Sequence, residues 1–132
     1  MMNSIHIFQS NLLIVDDQRP DILLLEQMLR GAGYLSVTST MDSNEVCELH
    51  FLNHYDLILL DLQMPGLDGF QVMEQLRVIE GSGPLPVLVI TAQEHHRVRA
   101  LKAGAEDFIC KPFNLPHMLV RVHQMLESRM LH

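Results

Sequence analysis

The sequence predicts a doubly wound α/β domain built on a five-stranded parallel sheet, and two observations predict it. Short β-rich runs alternate strictly with segments of helical periodicity, joined by short loops, which is the pattern of five successive βα units. The third and fourth runs, Leu57 to Leu60 and Val87 to Ile90, are apolar throughout. Strands covered by helices on both faces read this way.

Residues 11–15 read as the first strand. Residues 19–32 read as a helix with Ile22, Leu25, Met28, Leu29 and Ala32 on one face, ended by Gly31 and Gly33. Residues 35–39 are a strand of alternating type, which places it at a sheet edge. Asp42 and Glu45 have the spacing of a capping box opening a second helix, which runs to about Asn53. Residues 56–60 form the third strand. Asp68 with Gln71 caps a third helix that carries Phe70, Met73, Leu76 and Ile79. After the loop Gly81-Ser-Gly-Pro84, residues 86–91 form the fourth strand. Residues 94–103 form a fourth helix with Gly104 as its stop, and residues 107–110 the fifth strand. Asn114 caps a last helix whose stripe is Leu115, Met118, Leu119, Val122, Met125 and Leu126. The expected strand order is 2-1-3-4-5, in which ligands sit beyond the carboxyl ends of the strands where the first and third lie side by side.

The chain has 132 residues, of which 48% are hydrophobic, enough for one domain spanning 1–132 and too many for a disordered chain. No apolar run approaches the roughly 18 residues of a membrane span. Residues 1–10 lack the basic start and long apolar stretch of a signal peptide. Cys47 and Cys110 form no CxxC, which fits a reducing, cytoplasmic setting. Sixteen acids against nine bases give a net charge of −7, which argues against nucleic acid or an anionic membrane as direct partner.

The chemistry lies at the strand ends. The first strand runs into Asp16-Asp17, the third into Asp61, the fourth ends in Thr91 and the fifth runs into Lys111. The topology brings all of them to one rim. Carboxylates gathered there repel one another unless a hard divalent cation sits among them, and oxygen ligands with room for water suit Mg2+. An ammonium and a hydroxyl opposite suit a transferred phosphoryl group, for which an aspartate can be the nucleophile. Asp61 lies in the central strand between the acid pair and the Thr/Lys pair. An Asp after a strand is often only a helix cap. It is the joint occurrence at four strand ends that argues for a site.

Leu13-Ile-Val-Asp-Asp17, Asp56-Leu-Ile-Leu-Leu-Asp61 with Met64-Pro65 and Asp68-Gly69, Val89-Ile-Thr-Ala92, Ala103-Gly-Ala105 and Lys111-Pro-Phe113 together resemble the receiver domain of bacterial two-component response regulators. The resemblance covers about residues 10–128 and implies a flavodoxin-like (βα)5 fold. It implies a phosphorelay switch rather than an enzyme, with at most slow self-phosphorylation from small phosphodonors and slow self-dephosphorylation. Asp61 would be the phosphoacceptor. Asp17, Asp61 and the backbone carbonyl of Gln63 would bind Mg2+ directly, and Asp16 through a water. Thr91 and Lys111 would hold the phosphoryl oxygens, and a cis bond would precede Pro112. Phe108 would turn inward as Thr91 moves, changing the surface of the fourth helix, fifth strand and last helix. Gln63 and Gln93 would sit at positions that tune dephosphorylation. The implied partner is a sensor histidine kinase or histidine phosphotransfer protein. Lys102, Glu106, Asp107 and Arg121 flank the switching surface and read either as pairs across a second copy of the chain or as a solvated charged face. The chain reads either as a free-standing regulator or as the receiver of a longer protein with an output domain beyond the last helix.

Two other functional classes fit these residues less well. A haloacid-dehalogenase-like phosphatase also uses an aspartyl phosphate, but its motif needs an acid two residues after the nucleophile, where this chain has Gln63. A flavodoxin-like cofactor binder wants a Ser/Thr/Gly phosphate loop after the first strand, where Asp16-Asp17-Gln18-Arg19-Pro20 stands. The eight histidines, His50 and His54 among them, read as solvated helix surface rather than zinc ligands, and the nine methionines mostly as core.

Overall fold

The computed structural model describes residues 4–130. Its sheet comprises β1 (Asn11–Val15), β2 (Ser36–Thr40), β3 (Leu57–Leu60), β4 (Leu85–Thr91) and β5 (Ala105–Cys110). All neighbours pair in parallel, in the order β2-β1-β3-β4-β5 that the sequence predicts. The helices are α1 (Ser4–Ile7), α2 (Arg19–Gly31), α3 (Val46–Asn53), α4 (Gly69–Glu80), α5 (Arg97–Lys102) and α6 (Leu115–Met130).

Side chains alternate between the two faces of a strand, so each strand feeds two cores. Leu13, Val15, Ile58, Leu60, Val87 and Val89 pack against α3, α4 and α5 through Val46, Val72, Met73, Leu76 and Ala100. Leu12, Ile14, Leu57, Leu59, Leu88 and Ile90 pack against α2 and α6 through Ile22, Leu25, Leu29, Met118 and Val122. Both faces of the central strands are thereby dry, which is why their sequence lacks alternation. β2, at the edge, leaves Thr38 and Ser39 exposed.

The Asp68–Gln71 capping box forms with both of its bonds, and Asn114 Oδ1 accepts from the His117 N–H at 3.0 Å. The box expected at Asp42 and Glu45 does not form. Asp42 accepts from the Asn44 N–H, while the Glu45 carboxylate takes the Thr40 hydroxyl at 2.5 Å. A 3-10 turn over Ser43–Glu45 therefore precedes α3. The fourth predicted helix likewise opens as a 3-10 turn, Glu94–His96, before α5. Gly104 ends that segment with φ +113. The tip of the Arg77 guanidinium packs where a Cβ at Gly104 would stand, so a side chain there meets backbone strain and must displace that guanidinium.

The sequence reading did not anticipate α1. Ile7 is buried beside α6, Phe8 lies 5.0 Å from the Tyr34 ring, and the Tyr34 hydroxyl bonds His123 Nδ1. The histidines are not uniformly solvated either. His50 is buried, with its Nδ1 accepting from the Tyr55 N–H and its Nε2 on Glu80 at 2.6 Å. The expectations about a leader in residues 1–10 and a linker beginning in 125–132 fall in part on residues 1–3 and 131–132, which lie outside the described residues.

Candidate functional site

Parallel register is what assembles the site. Val15 pairs with Leu60, Leu60 with Val89, and Thr91 with Cys110, so the residues at or just past these ends share one edge. The ladder continues past the strands and fixes them there. Asp61 N–H donates to the Val15 carbonyl at 3.0 Å, and Lys111 N–H to the Thr91 carbonyl at 2.8 Å.

Asp16, Asp17 and Asp61 each present a carboxylate oxygen within 4.8 Å of the others. Among the described residues this is the one cluster of three His, Cys, Asp or Glu side chains close enough to hold a metal ion. Asp16 and Asp61 are buried, and Asp17 is half-buried. Asp61 Oδ1 accepts from the Gln63 N–H at 3.1 Å, and its Oδ2 accepts from Lys111 Nζ at 3.3 Å. Burial pushes the Asp61 carboxyl above the usual aspartate range. The Gln63 N–H and Lys111 pull it back only in part, and the Asp16 charge adds to the rise.

Lys111 reaches back over the rim, and the Lys111–Pro112 bond is cis. Its ammonium lies 3.0 Å from Asp16 Oδ2 and 2.8 Å from Asp21 Oδ2. Burial alone would lower this group. The bonds to Asp21 and Asp16 and the charge of Asp61 outweigh it and hold the ammonium above the ordinary lysine range. Asp21 is the residue the sequence reading missed. It stands in the first turn of α2, where an acid is ordinary helix chemistry and carries no signal of its own. Thr91 is fully buried, and its hydroxyl accepts from the Gln93 N–H at 3.4 Å.

Four carboxylates and one ammonium leave this rim strongly negative. Its donors are hard oxygens in a close group, and they fit Mg2+. Phe108 stands inward in this structure, 1% exposed, beside its register partner Val89 and with the Arg97 guanidinium over its ring.

Comparison with known proteins places this geometry in a family. Residues 12–123 match the model of the response regulator receiver domain. The transcriptional regulatory protein PrrA of Mycobacterium tuberculosis is 37% identical over 117 residues, covering 89% of this chain and 50% of that protein. HprR of Escherichia coli is 37% identical over 119 residues, covering 89% of this chain and 51% of its own. A response regulator structure from Chloroflexus aurantiacus superposes with TM-score 0.83 at 33% identity, over 90% of this chain and 98% of that one. The receiver domain of sensor histidine kinase PA1611 from Pseudomonas aeruginosa, solved with magnesium in its active-site cleft, superposes with TM-score 0.80 at 28% identity, over 90% and 98% of the two chains.

The chain belongs to the response regulator receiver domain family of bacterial two-component signalling. Such domains are generally not enzymes, and these matches give no support to a dehalogenase-like phosphatase. The chain spans about half the length of the curated relatives it matches. No helix among the described residues is long and apolar enough to cross a membrane.

Proposed function

We propose that this receiver takes a phosphoryl group on Asp61 from a sensor histidine kinase or a histidine phosphotransfer protein, in the cytoplasm. The observation that carries the reading is the close group of Asp16, Asp17 and Asp61 with Lys111 on its far side. The Asp61 carboxylate oxygen forms the P–O bond as the donor's P–N bond breaks. The electron pair leaves with the imidazole, which takes up a proton. Asp17, Asp61 and the Gln63 carbonyl would hold Mg2+, with Asp16 acting through a water. When bound, the ion neutralises charge shared between the acceptor and the phosphoryl oxygens. Lys111 and Thr91 hold those oxygens once transferred. Gln63 and Gln93 flank them and tune how water reaches the acyl phosphate. Any turnover without a partner is confined to slow self-phosphorylation from small phosphodonors and slow hydrolysis.

The signal leaves through Thr91 and Phe108 to the face made by α5, β5 and α6. That face serves a second copy of the chain or an output domain following α6. Its charges are engaged within the chain, with Arg121 on Asp107 and Arg129 on Glu106 at 3.4 Å, so a dimer needs these pairs to exchange partners or stay at the rim. The relatives' names as transcriptional regulators support an output domain. Acetyl phosphate with Mg2+ should add one hydroxylamine-labile phosphoryl group, seen by intact mass. Asp61→Asn should add none while keeping its fold. A labelled variant would refute the assignment.

A further inference from the structure

An ammonium has three N–H donors, and Lys111 spends all of them on carboxylates: Asp21 at 2.8 Å, Asp16 at 3.0 Å and Asp61 at 3.3 Å. The shortest bond goes to the one acid that is not at a strand end. A phosphoryl oxygen arriving at Asp61 must therefore displace a carboxylate from Lys111. The Asp16 and Asp61 side chains are only 3% and 8% exposed, so neither can turn to water. The Asp21 side chain is 33% exposed and sits on the first turn of α2, where water and the helix N-terminus can take over its charge.

We propose that Asp21 is a positioning residue: it holds Lys111 in the resting chain and yields it to the phosphoryl group. Its charge thereby sets the balance between cation and phosphoryl affinity at this rim. The proposal rests on Asp61 being the acceptor. Asp21 shares the ammonium with Asp16 and Asp61, so less of its charge falls on those two acids, and it adds a negative charge close to the site. Both effects favour Mg2+. Both oppose an anion on Asp61, since the anion must compete for Lys111 and sits near one more carboxylate. Removing the charge therefore moves the two affinities in opposite directions. Loss of a merely structural contact would weaken both or neither.

The test compares wild type, Asp21→Asn and Asp21→Glu. Calorimetry reads Mg2+ affinity, and fluorine NMR at saturating Mg2+ reads the affinity for beryllofluoride, which stands in for the phosphoryl group on a carboxylate. Asp21→Asn should bind Mg2+ about 3- to 10-fold more weakly and beryllofluoride tighter by a similar factor, the scale of one charge acting across a partly solvated rim. Asp21→Glu, which keeps the charge, should return both toward wild type. Unchanged Mg2+ affinity in Asp21→Asn, or beryllofluoride affinity that stays level or falls, overturns the role. If the wild type itself binds no beryllofluoride, the acceptor reading falls. The Mg2+ comparison then decides alone: weaker binding upholds the hold on Lys111, and equal binding removes it.

Discussion

The Arg97 guanidinium carbon lies 4.7 Å from the centroid of the Phe108 ring, so a cation closes the solvent side of an aromatic that is otherwise inside the core. Glu94 holds Arg97 in place, with Oε2 2.6 Å from its Nε. A cation over a ring near the surface contributes about 0.5–1 kcal/mol. Arg97→Ala should therefore raise the share of outward Phe108 by about 2- to 5-fold, with little loss of stability. Ring-proton line shapes in NMR would report it. A ring as immobile as in the wild type would show that packing against Val89 and Ala100, rather than Arg97, holds it.

Gly69 sets the acceptor loop. Its N–H donates to the Leu62 carbonyl at 3.0 Å, and a Cβ there would fall 2.7 Å from Leu62 Cα and 3.1 Å from the Asp61 carbonyl oxygen. Backbone has to move to admit even a methyl group, and overpacking of this kind costs about 1–3 kcal/mol. Gly69→Ala should lower the melting temperature by about 4–12 °C and slow labelling by acetyl phosphate. A variant with wild-type melting and labelling would mean the two loops part freely.

Asp61 works against the fold at neutral pH. Its folded carboxyl titrates above its unfolded value, so the native chain binds the proton more tightly than the unfolded chain does. Stability then falls as pH rises through the carboxylate range and stays reduced above it. Asp61→Asn should melt higher than wild type at pH 7 without divalent cations, and the gap should close as pH drops below the ordinary aspartate range. Melting curves from pH 4 to 8 would check this. A gap of constant size would point to a packing difference instead of a proton.

The sheet was legible because short apolar runs without alternation, too brief for buried helices and alternating with helical patterns, read as strands covered on both sides, and polar residues stood at four strand ends. The Asp68–Gln71 box was legible because both of its partners lie within one helical turn. The Asp42–Glu45 pattern has the same spacing and misled, because Thr40 offered Glu45 a hydroxyl at 2.5 Å that local sequence does not reveal. Asp21 escaped for a related reason. Its partner lies 90 residues away, and only the topology that carries Lys111 back over the rim brings them together. The burial of His50 and of Phe108 likewise depends on what the neighbouring elements leave open.

The last prediction concerns the cation. Asp16, Asp17 and Asp61 hold oxygens within 4.8 Å of one another, and Lys111 bonds only Asp16 and Asp61 of the three. Asp17 is therefore the acid that adds charge to the group without taking any from the ammonium. An ion bound by the native chain alone stabilises it by about 1.4 kcal/mol at tenfold its dissociation constant, or about 4 °C of melting temperature. Millimolar Mg2+ should raise the wild-type midpoint by that order, and Asp17→Asn should cancel most of the rise while leaving the Mg2+-free midpoint level or higher, because one repulsive charge is gone. Protons compete for the same oxygens, and Asp61 takes its proton early. The Mg2+ effect should accordingly fade as pH falls into the carboxylate range, while the midpoint without Mg2+ loses its Asp61 penalty over the same interval. Differential scanning calorimetry with and without Mg2+ at pH 7 and pH 4.5 measures all of this. An equal Mg2+ response at the two pH values, or in Asp17→Asn, would place the ion elsewhere on the protein.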